Sequence, residues 1–105
     1  MDKGIEYDIV VSDSALAMLD NHVDFLAKVN TNAATKMMNE ILDDISSLSE
    51  NPQRFPLYEN PFIPDCRYRR MLSAKRYLVL YEVDISIVSV DYIVDCRQDY
   101  EWLIQ

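Results

Sequence analysis

The chain contains very little glycine, cysteine and histidine, and each shortage excludes a class of structure or chemistry. With one glycine in 105 residues, the sequence argues against a turn-rich all-β fold and contains no glycine-rich phosphate loop. The two cysteines, Cys66 and Cys96, are too few for a disulfide framework or a zinc site. The single histidine, His22, excludes a mechanism that needs two, and we expect neither a metal site nor a cofactor.

Long hydrophobic runs are also missing. No stretch approaches the roughly 20 apolar residues that a membrane-spanning helix needs. Five acidic residues among the first 20 argue against a signal peptide, so we expect a cytoplasmic protein without a membrane partner. A length of 105 residues, half of them hydrophobic, predicts a single domain over residues 1–105.

Hydrophobic periodicity predicts the element order β-α-α-β-β-β-α. Ser12 and Asp13 are suitable N-caps for the first helix, and Asn30-Thr31-Asn32 ends that helix and caps the second one of an antiparallel hairpin. A proline-bearing connection, 52–64, leads to three strands whose short connections make them antiparallel. The predicted strands are at 5–11, 68–72, 77–83 and 87–94, apolar stripes over 16–29 and 34–48 mark the two helices of the hairpin, and residues 97–103 can form a terminal helix.

Three residues with reactive side chains are interpreted as structural. His22 lies beside the apolar stripe of the first helix, a position typical of a residue at the boundary of the core. Cys66 begins one strand of the predicted meander, and Cys96 follows another that runs in the same direction. The cysteines then lie at opposite ends of the sheet, beyond the ~7 Å between Cα atoms that a disulfide permits, so two free thiols are predicted.

Half of the positive charge is concentrated in residues 67–76, which we call the basic segment. It holds five of the ten lysines and arginines and no acid, whereas the rest of the chain holds five bases against 18 acids. Strand alternation predicts Arg67, Arg69 and Met71 on one face and Arg70 on the other. A dense basic region in an acidic protein is suited to gripping phosphate or an acidic partner. The alternative is an edge strand whose charges prevent aggregation.

A second candidate pair, Arg97 and Tyr100, follows the last predicted strand. An arginine and a tyrosine near such a strand end are suited to holding phosphate and stacking on a base. The alternative is that Tyr100, with Trp102 and Leu103, docks the terminal helix on the sheet.

These motifs, in this order, resemble the RelE/ParE superfamily of toxins from bacterial type II toxin–antitoxin modules. Residues 68–72, Tyr-Arg-Arg-Met-Leu, resemble the basic strand of that family. Residues 77–84, Tyr-Leu-Val-Leu-Tyr-Glu-Val-Asp, resemble its central segment. Residues 93–100, Ile-Val-Asp-Cys-Arg-Gln-Asp-Tyr, resemble its last strand and its terminal Arg-x-x-Tyr.

The resemblance implies an α+β fold in which a helical hairpin packs on a twisted, mainly antiparallel four-stranded sheet, with a short C-terminal helix. It also implies a cognate antitoxin that blocks the toxin and through which alone the toxin reaches operator DNA. Members of the family show two activities. RelE-like toxins cut mRNA in the ribosomal A site without metal, whereas ParE-like toxins inhibit DNA gyrase and are not nucleases.

Residue by residue, the resemblance makes Arg69, Arg97 and Tyr100 the candidate catalytic residues. The family commonly has arginine at the position of Leu78, and in the nucleases that arginine contacts the scissile phosphate. Candidates for binding RNA or another target are the remaining bases of the basic segment, Arg67, Arg70, Lys75 and Arg76.

Three interpretations remain open. Ribosome-dependent, metal-independent cleavage of mRNA is favoured by the clustered arginines and Tyr100. Inhibition of DNA gyrase is favoured by Leu78, and the basic segment would then be a protein-binding surface. An attenuated toxin that mainly binds its antitoxin and regulates its own operon is consistent with the net charge of −8. In each case the basic segment predicts contact with an acidic segment of the antitoxin.

Overall fold

The computed structural model describes residues 6–59 and 67–96, which form a helical hairpin packed on a four-stranded sheet. The strands are β1 (Asp8–Val11), β2 (Arg69–Ser73), β3 (Tyr77–Asp84) and β4 (Ile87–Asp95). The helices are α1 (Asp13–Ala27) and α2 (Thr31–Ser46), followed by short 3-10 turns at Ser47–Ser49 and Pro52–Arg54. The predicted order of elements is confirmed as far as β4. The helix predicted at 97–103 lies outside the described residues.

Both helices begin where a side chain caps the first turn. The Ser12 hydroxyl accepts a hydrogen bond from the Ala15 amide at 3.0 Å, as the sequence predicted for α1. The Asn30 side-chain oxygen accepts from the Ala33 amide at 3.0 Å and begins α2. These caps satisfy amides that have no partner within the helix. Because α1 ends at Ala27 and α2 begins at Thr31, the connection between the two helices is short.

The sheet has the strand order β1-β4-β3-β2, so the first strand lies beside the last. β2, β3 and β4 form the antiparallel meander that their short connections predicted. β1 runs parallel to β4. The predicted α+β fold with a mainly antiparallel sheet is confirmed, and β1 and β2 form its two edges.

The core lies between the helical hairpin and one face of the sheet. Met71, Val79 and Ile93 stand opposite one another on β2, β3 and β4, and each is almost fully buried. Ile41 on α2 and Leu48 on the 3-10 turn that follows α2 pack against them. Burial of a large aliphatic side chain contributes about 1.5–3 kcal/mol relative to an exposed one, so a one-residue slip of β2 would be costly. This burial fixes which residues of the basic segment face inward.

The first strand is shorter than predicted. Residues 5–11 alternate as a strand, but the ladder with β4 covers only Asp8–Val11, and Glu6 instead forms an isolated bridge with Glu50. β4 begins at Ile87, which pairs with Asp8, so residues before Asp8 have no strand beside them in the sheet. Among the described residues, no helix is long and apolar enough to cross a membrane.

Candidate functional site

The basic segment covers the two residues before the edge strand β2, β2 itself and the turn that joins it to β3. Within β2 the predicted alternation is confirmed: Met71 is buried against the helices, whereas Arg70 and Leu72 are exposed on the other face. Lys75 and Arg76 belong to the turn, as predicted, and Lys75 has a left-handed backbone with φ of 65°. The five bases therefore point in different directions.

Arg69 faces inward and holds the chain segment that precedes β2. One of its terminal nitrogens donates to the Phe55 carbonyl at 2.7 Å and to the Gln53 carbonyl at 3.3 Å. The same segment also pairs with the backbone of β2, because the Arg70 amide donates to the Pro56 carbonyl at 3.0 Å. Arg69, a candidate catalytic residue, thus stabilises the fold by holding the preceding segment, and its charge lies near the start of β2.

Arg76 forms the strongest ion pair among the described residues. Its guanidinium donates to both oxygens of Asp95, at 2.6 and 3.3 Å, in a two-point contact. The side chains are 20% and 5% exposed, so the pair is shielded from solvent. Asp95 reaches this place because it stands opposite Tyr77 in the β3–β4 register, and the guanidinium also lies 5.1 Å from the centre of the Tyr77 ring.

Arg67 makes a looser contact at the other end of the segment. It lies 2.6 Å from a carboxylate oxygen of Glu82, but its side chain is 81% exposed. An ion pair that is so open to water contributes little to stability, since solvent screens it and both side chains lose freedom. Arg67 therefore remains able to exchange Glu82 for a partner.

Arg70 and Lys75 are the bases that the fold leaves to the solvent. Among the described residues, neither side chain forms an ion pair or a side-chain hydrogen bond. Arg70 shares an open groove with Leu78, whose position carries arginine in the nuclease members that the sequence resembles. The groove is lined by Pro56, Leu57, Tyr58, Glu59, Arg70 and Leu78. Because position 78 is leucine, Arg70 supplies the single positive charge in the described lining of this groove.

A tyrosine pair lies on the same face of the sheet as Arg70. The Tyr68 hydroxyl donates to Asp91 at 2.7 Å, and its ring meets Tyr92 edge-on at 5.7 Å. A β-bulge aims Asp91 at this position, because the register skips it between Tyr92 and Val90. Burial, and then the hydrogen bond to Asp91, raise the pKa of Tyr68 far above its usual range. Tyr68 is therefore a weaker acid than an ordinary tyrosine, which is itself protonated at neutral pH.

His22 has the boundary role that the sequence predicted. Its Nε2 donates to the Ile93 carbonyl at 2.8 Å, and its ring lies 5.0 Å from that of Tyr77. The ring joins α1 to the inner face of the sheet. Among residues 6–59 and 67–96, no cluster of three histidine, cysteine, aspartate or glutamate side chains could hold a metal ion.

Several predicted residues lie beyond the description. Arg97, Tyr100 and Cys66 are outside the described residues, so the terminal pair and the two free thiols stay predictions; Cys96 is exposed. The sequence alone does not predict Asp95 as the partner of Arg76. A lone acid at the end of an apolar strand requires a partner when buried, but which residue supplies it depends on the register of β3 and β4.

Comparison with known proteins gives one family and one related structure. Residues 9–100 match the family described as "ParE toxin of type II toxin-antitoxin system, parDE". Among solved structures, the chain is similar to the "Chromosomal ParDE TA system from P. aeruginosa", with a TM-score of 0.70 and 14% sequence identity. The similarity covers 86% of this chain and 96% of that one, and at this identity it shows the fold alone. No curated protein sequence matches the chain.

Proposed function

Since the chain belongs to the ParE toxin family of type II toxin–antitoxin systems, we propose that it arrests bacterial growth by binding DNA gyrase. In this proposal the protein acts in the cytoplasm and needs no cofactor, and a cognate antitoxin blocks it. The basic segment is then a protein-binding surface. Cleavage of mRNA on the ribosome is the rival activity that the experiment below must separate from gyrase binding.

One observation carries the choice of gyrase: the basic segment does not gather its arginines around a common point. Arg69 is directed to backbone carbonyls and Arg76 to the Asp95 carboxylate. Leu78 stands where the nuclease members place the arginine that contacts phosphate. Cleavage without metal requires donors that converge on the charge that develops at phosphorus, and the described part of the basic segment supplies only Arg70 at this place.

Proton transfer is a second requirement of cleavage. Attack by an RNA 2′-hydroxyl needs a group that accepts its proton, placed within hydrogen-bond reach. Of the described groups near Arg70, Tyr68 carries its proton at neutral pH and the Asp91 carboxylate accepts the Tyr68 hydrogen bond, which leaves Glu59 in the groove as the group that could accept a proton. Binding to a protein needs no such group. It needs exposed charge and apolar surface, and Arg70 with the exposed Leu57 and Leu72 provides both.

The charge balance supports a protein partner. A net charge of −8 opposes broad contact with a nucleic-acid backbone, which is itself anionic. A local basic patch can still steer the chain to an acidic area of a protein and raise the association rate. The family also implies an antitoxin, and we propose that an acidic segment of it covers the exposed bases, Arg70 and Lys75.

The test compares the two activities with purified protein and in cells. We expect the wild-type chain to inhibit supercoiling by purified gyrase, and we expect growth arrest without new mRNA ends in primer extension. Arg70→Glu should raise the half-inhibitory concentration at least about tenfold, because it reverses an exposed interface charge. Lys36→Glu is the matched control, since Lys36 is exposed on α2, and it should inhibit like the wild type.

Cuts within translated regions, with unaffected gyrase, would overturn the proposal and establish mRNA cleavage. In that event Arg97→Ala and Tyr100→Phe become the first variants to examine. Absence of growth arrest together with tight antitoxin binding would instead support the attenuated toxin.

A further inference from the structure

The turn between β3 and β4 holds a residue that is unfavourable there. Only Ile85 and Ser86 join the strands, because Asp84 and Ile87 are the last pair of the register. Two-residue hairpin turns need a positive φ at their first position, which glycine or asparagine adopts easily. Ile85 has a φ of 32°, and a β-branched residue with positive φ is an outlier.

The Ile85 side chain is almost entirely exposed to water. It is 90% exposed, the largest exposed fraction among the large hydrophobic residues of the described chain. The residue thus combines backbone strain with an apolar side chain in water. Strain of this kind persists where the surrounding structure imposes it, and it occurs often at binding sites.

The surface beside Ile85 is basic and apolar. A depression at this end of the sheet is lined by Gln53, Leu57, Arg67, Arg69, Val83 and Ile85. Its lining contains two arginines and no carboxylate, although Arg67 also contacts the Glu82 carboxylate at 2.6 Å in an ion pair that is open to water. The carbonyls that hold Arg69 are neutral, so they orient its charge without cancelling it.

We infer that the β3–β4 tip docks the toxin on its target protein, with Ile85 inserted in an apolar pocket that carboxylates surround. This inference rests on the proposed function, and it adds the anchor and the chemistry of the surface that receives it. A two-residue tip is convex, so it fits a pocket of a folded partner. A flexible antitoxin segment, in contrast, wraps over grooves. Arg67 and Arg69 then face the carboxylates at the rim, while Ile85 supplies the central apolar contact.

The test replaces Ile85 by residues that separate backbone strain from side-chain contact. Ile85→Gly removes the anchor and relieves the backbone, so we expect a thermal midpoint at or above that of the wild type. Its half-inhibitory concentration for gyrase should rise at least about tenfold, and growth arrest should weaken in parallel. Ile85→Val keeps a β-branched apolar group and should retain most of the inhibition. Ile85→Asn is a second strain-relieving variant if the glycine variant folds poorly.

Val29→Ala is the matched control, because Val29 is 80% exposed outside this surface. It should change neither growth arrest nor inhibition. If Ile85→Gly inhibits and arrests like the wild type, the inference is wrong. If it instead loses antitoxin binding and keeps toxicity, the tip belongs to the antitoxin interface, and the inference is equally wrong.

Failure of the proposed function has a different signature. A wild-type chain that arrests growth without inhibiting gyrase excludes gyrase as the target. In that case growth arrest alone tests the inference. Loss of growth arrest in Ile85→Gly supports docking of the tip on another target protein, and retained growth arrest overturns the inference. A wild-type chain that arrests nothing overturns both.

Discussion

The two faces of the basic segment differ in what their charges do. Arg69, on the inner face, holds loop carbonyls, and Arg76, at the turn, is shielded by its contact with Asp95. Arg70 and Lys75 extend into solvent without an ion pair among the described residues. A cluster of bases in the sequence is therefore not a cluster of available charge. The fold assigns part of it to stability and leaves part of it for a partner.

This division has a simple physical origin. A strand directs successive side chains to opposite faces, and the burial of Met71 fixes which face is which. Arg69 meets backbone carbonyls, and Arg76 meets a buried acid, where water screens the pair little; hydrogen bonds from a charged donor are strong in both cases. Outward bases meet water, where their contribution to folding is close to zero. Substitution of an inward arginine should therefore lower stability, whereas substitution of an outward base should leave it nearly unchanged.

The largest effect on stability is expected for Arg76→Leu. The substitution leaves the buried Asp95 carboxylate without its arginine, and breaking such a pair costs about 3 kcal/mol. Urea unfolding measures the change in the free energy of unfolding. A change of less than 0.5 kcal/mol, roughly the range of surface substitutions, would show that Arg76 behaves like an exposed base. The shielded and exposed bases would then not differ in their contribution to stability.

Arg69→Ala should have an intermediate effect. It removes hydrogen bonds from a charged donor to the Phe55 and Gln53 carbonyls, and we expect a loss of about 1–2 kcal/mol. Arg69→Lys serves as the control because it keeps the charge but not the planar guanidinium geometry, and it should recover part of the stability. Equal stability of the wild type, Arg69→Ala and Arg69→Lys in urea would contradict the inference that Arg69 stabilises the loop.

Unfolding at alkaline pH tests the contacts of the inner face without a mutation. Tyr81 is buried and donates to the Pro52 carbonyl at 2.6 Å, and burial raises its pKa to about 12. The unfolded chain releases this proton near pH 10. Between these two pKa values the folded state binds more protons, so the free energy of unfolding falls as pH rises, by up to about 1.4 kcal/mol per pH unit.

Arg69 modifies this titration, because its positive charge lowers the pKa of Tyr81 against the effect of burial. In Arg69→Ala, stability should consequently continue to fall to a higher pH than in the wild type. In Tyr81→Phe this part of the pH dependence should disappear. Unfolding curves between pH 9 and 12, roughly the range over which both states titrate, measure the slope, and a slope unaffected by Tyr81→Phe would refute the assignment.

The sequence was sufficient for the order of the helices and strands among the described residues, although β1 is shorter than predicted, and the reasons are physical. Apolar spacing in α1 and α2, the caps at Ser12 and Asn30, and the short strand connections are all local signals. The contact between Arg76 and Asp95 depends on the register of two strands, which no local pattern determines. Arg69 is similar, since its acceptors belong to a segment 14 and 16 residues earlier.

The unusual tip at Ile85 could have been inferred. With Gly4 as the only glycine, the chain must make both hairpin turns with other residues, and Ala74, Lys75 and Ile85 accordingly have positive φ. What the sequence could not show is that the isoleucine stays exposed. Its exposure depends on how far the hairpin extends beyond the rest of the sheet, which is a property of the assembled fold.

The smallest effect on stability is expected for Arg70→Leu, and this makes it the sharpest test of the comparison. The Arg70 side chain has no ion pair among the described residues, so the free energy of unfolding should change by less than about 0.5 kcal/mol. The backbone amide still donates to the Pro56 carbonyl, so the edge of β2 keeps its partner. Toxicity should nevertheless fall, because the outward charge is lost. Arg76→Leu is the counterpart from the shielded pair, with the same substitution. If Arg70→Leu destabilises the protein as much as Arg76→Leu does, the two bases are equivalent. If it leaves both stability and toxicity unchanged, the outward charge has no partner.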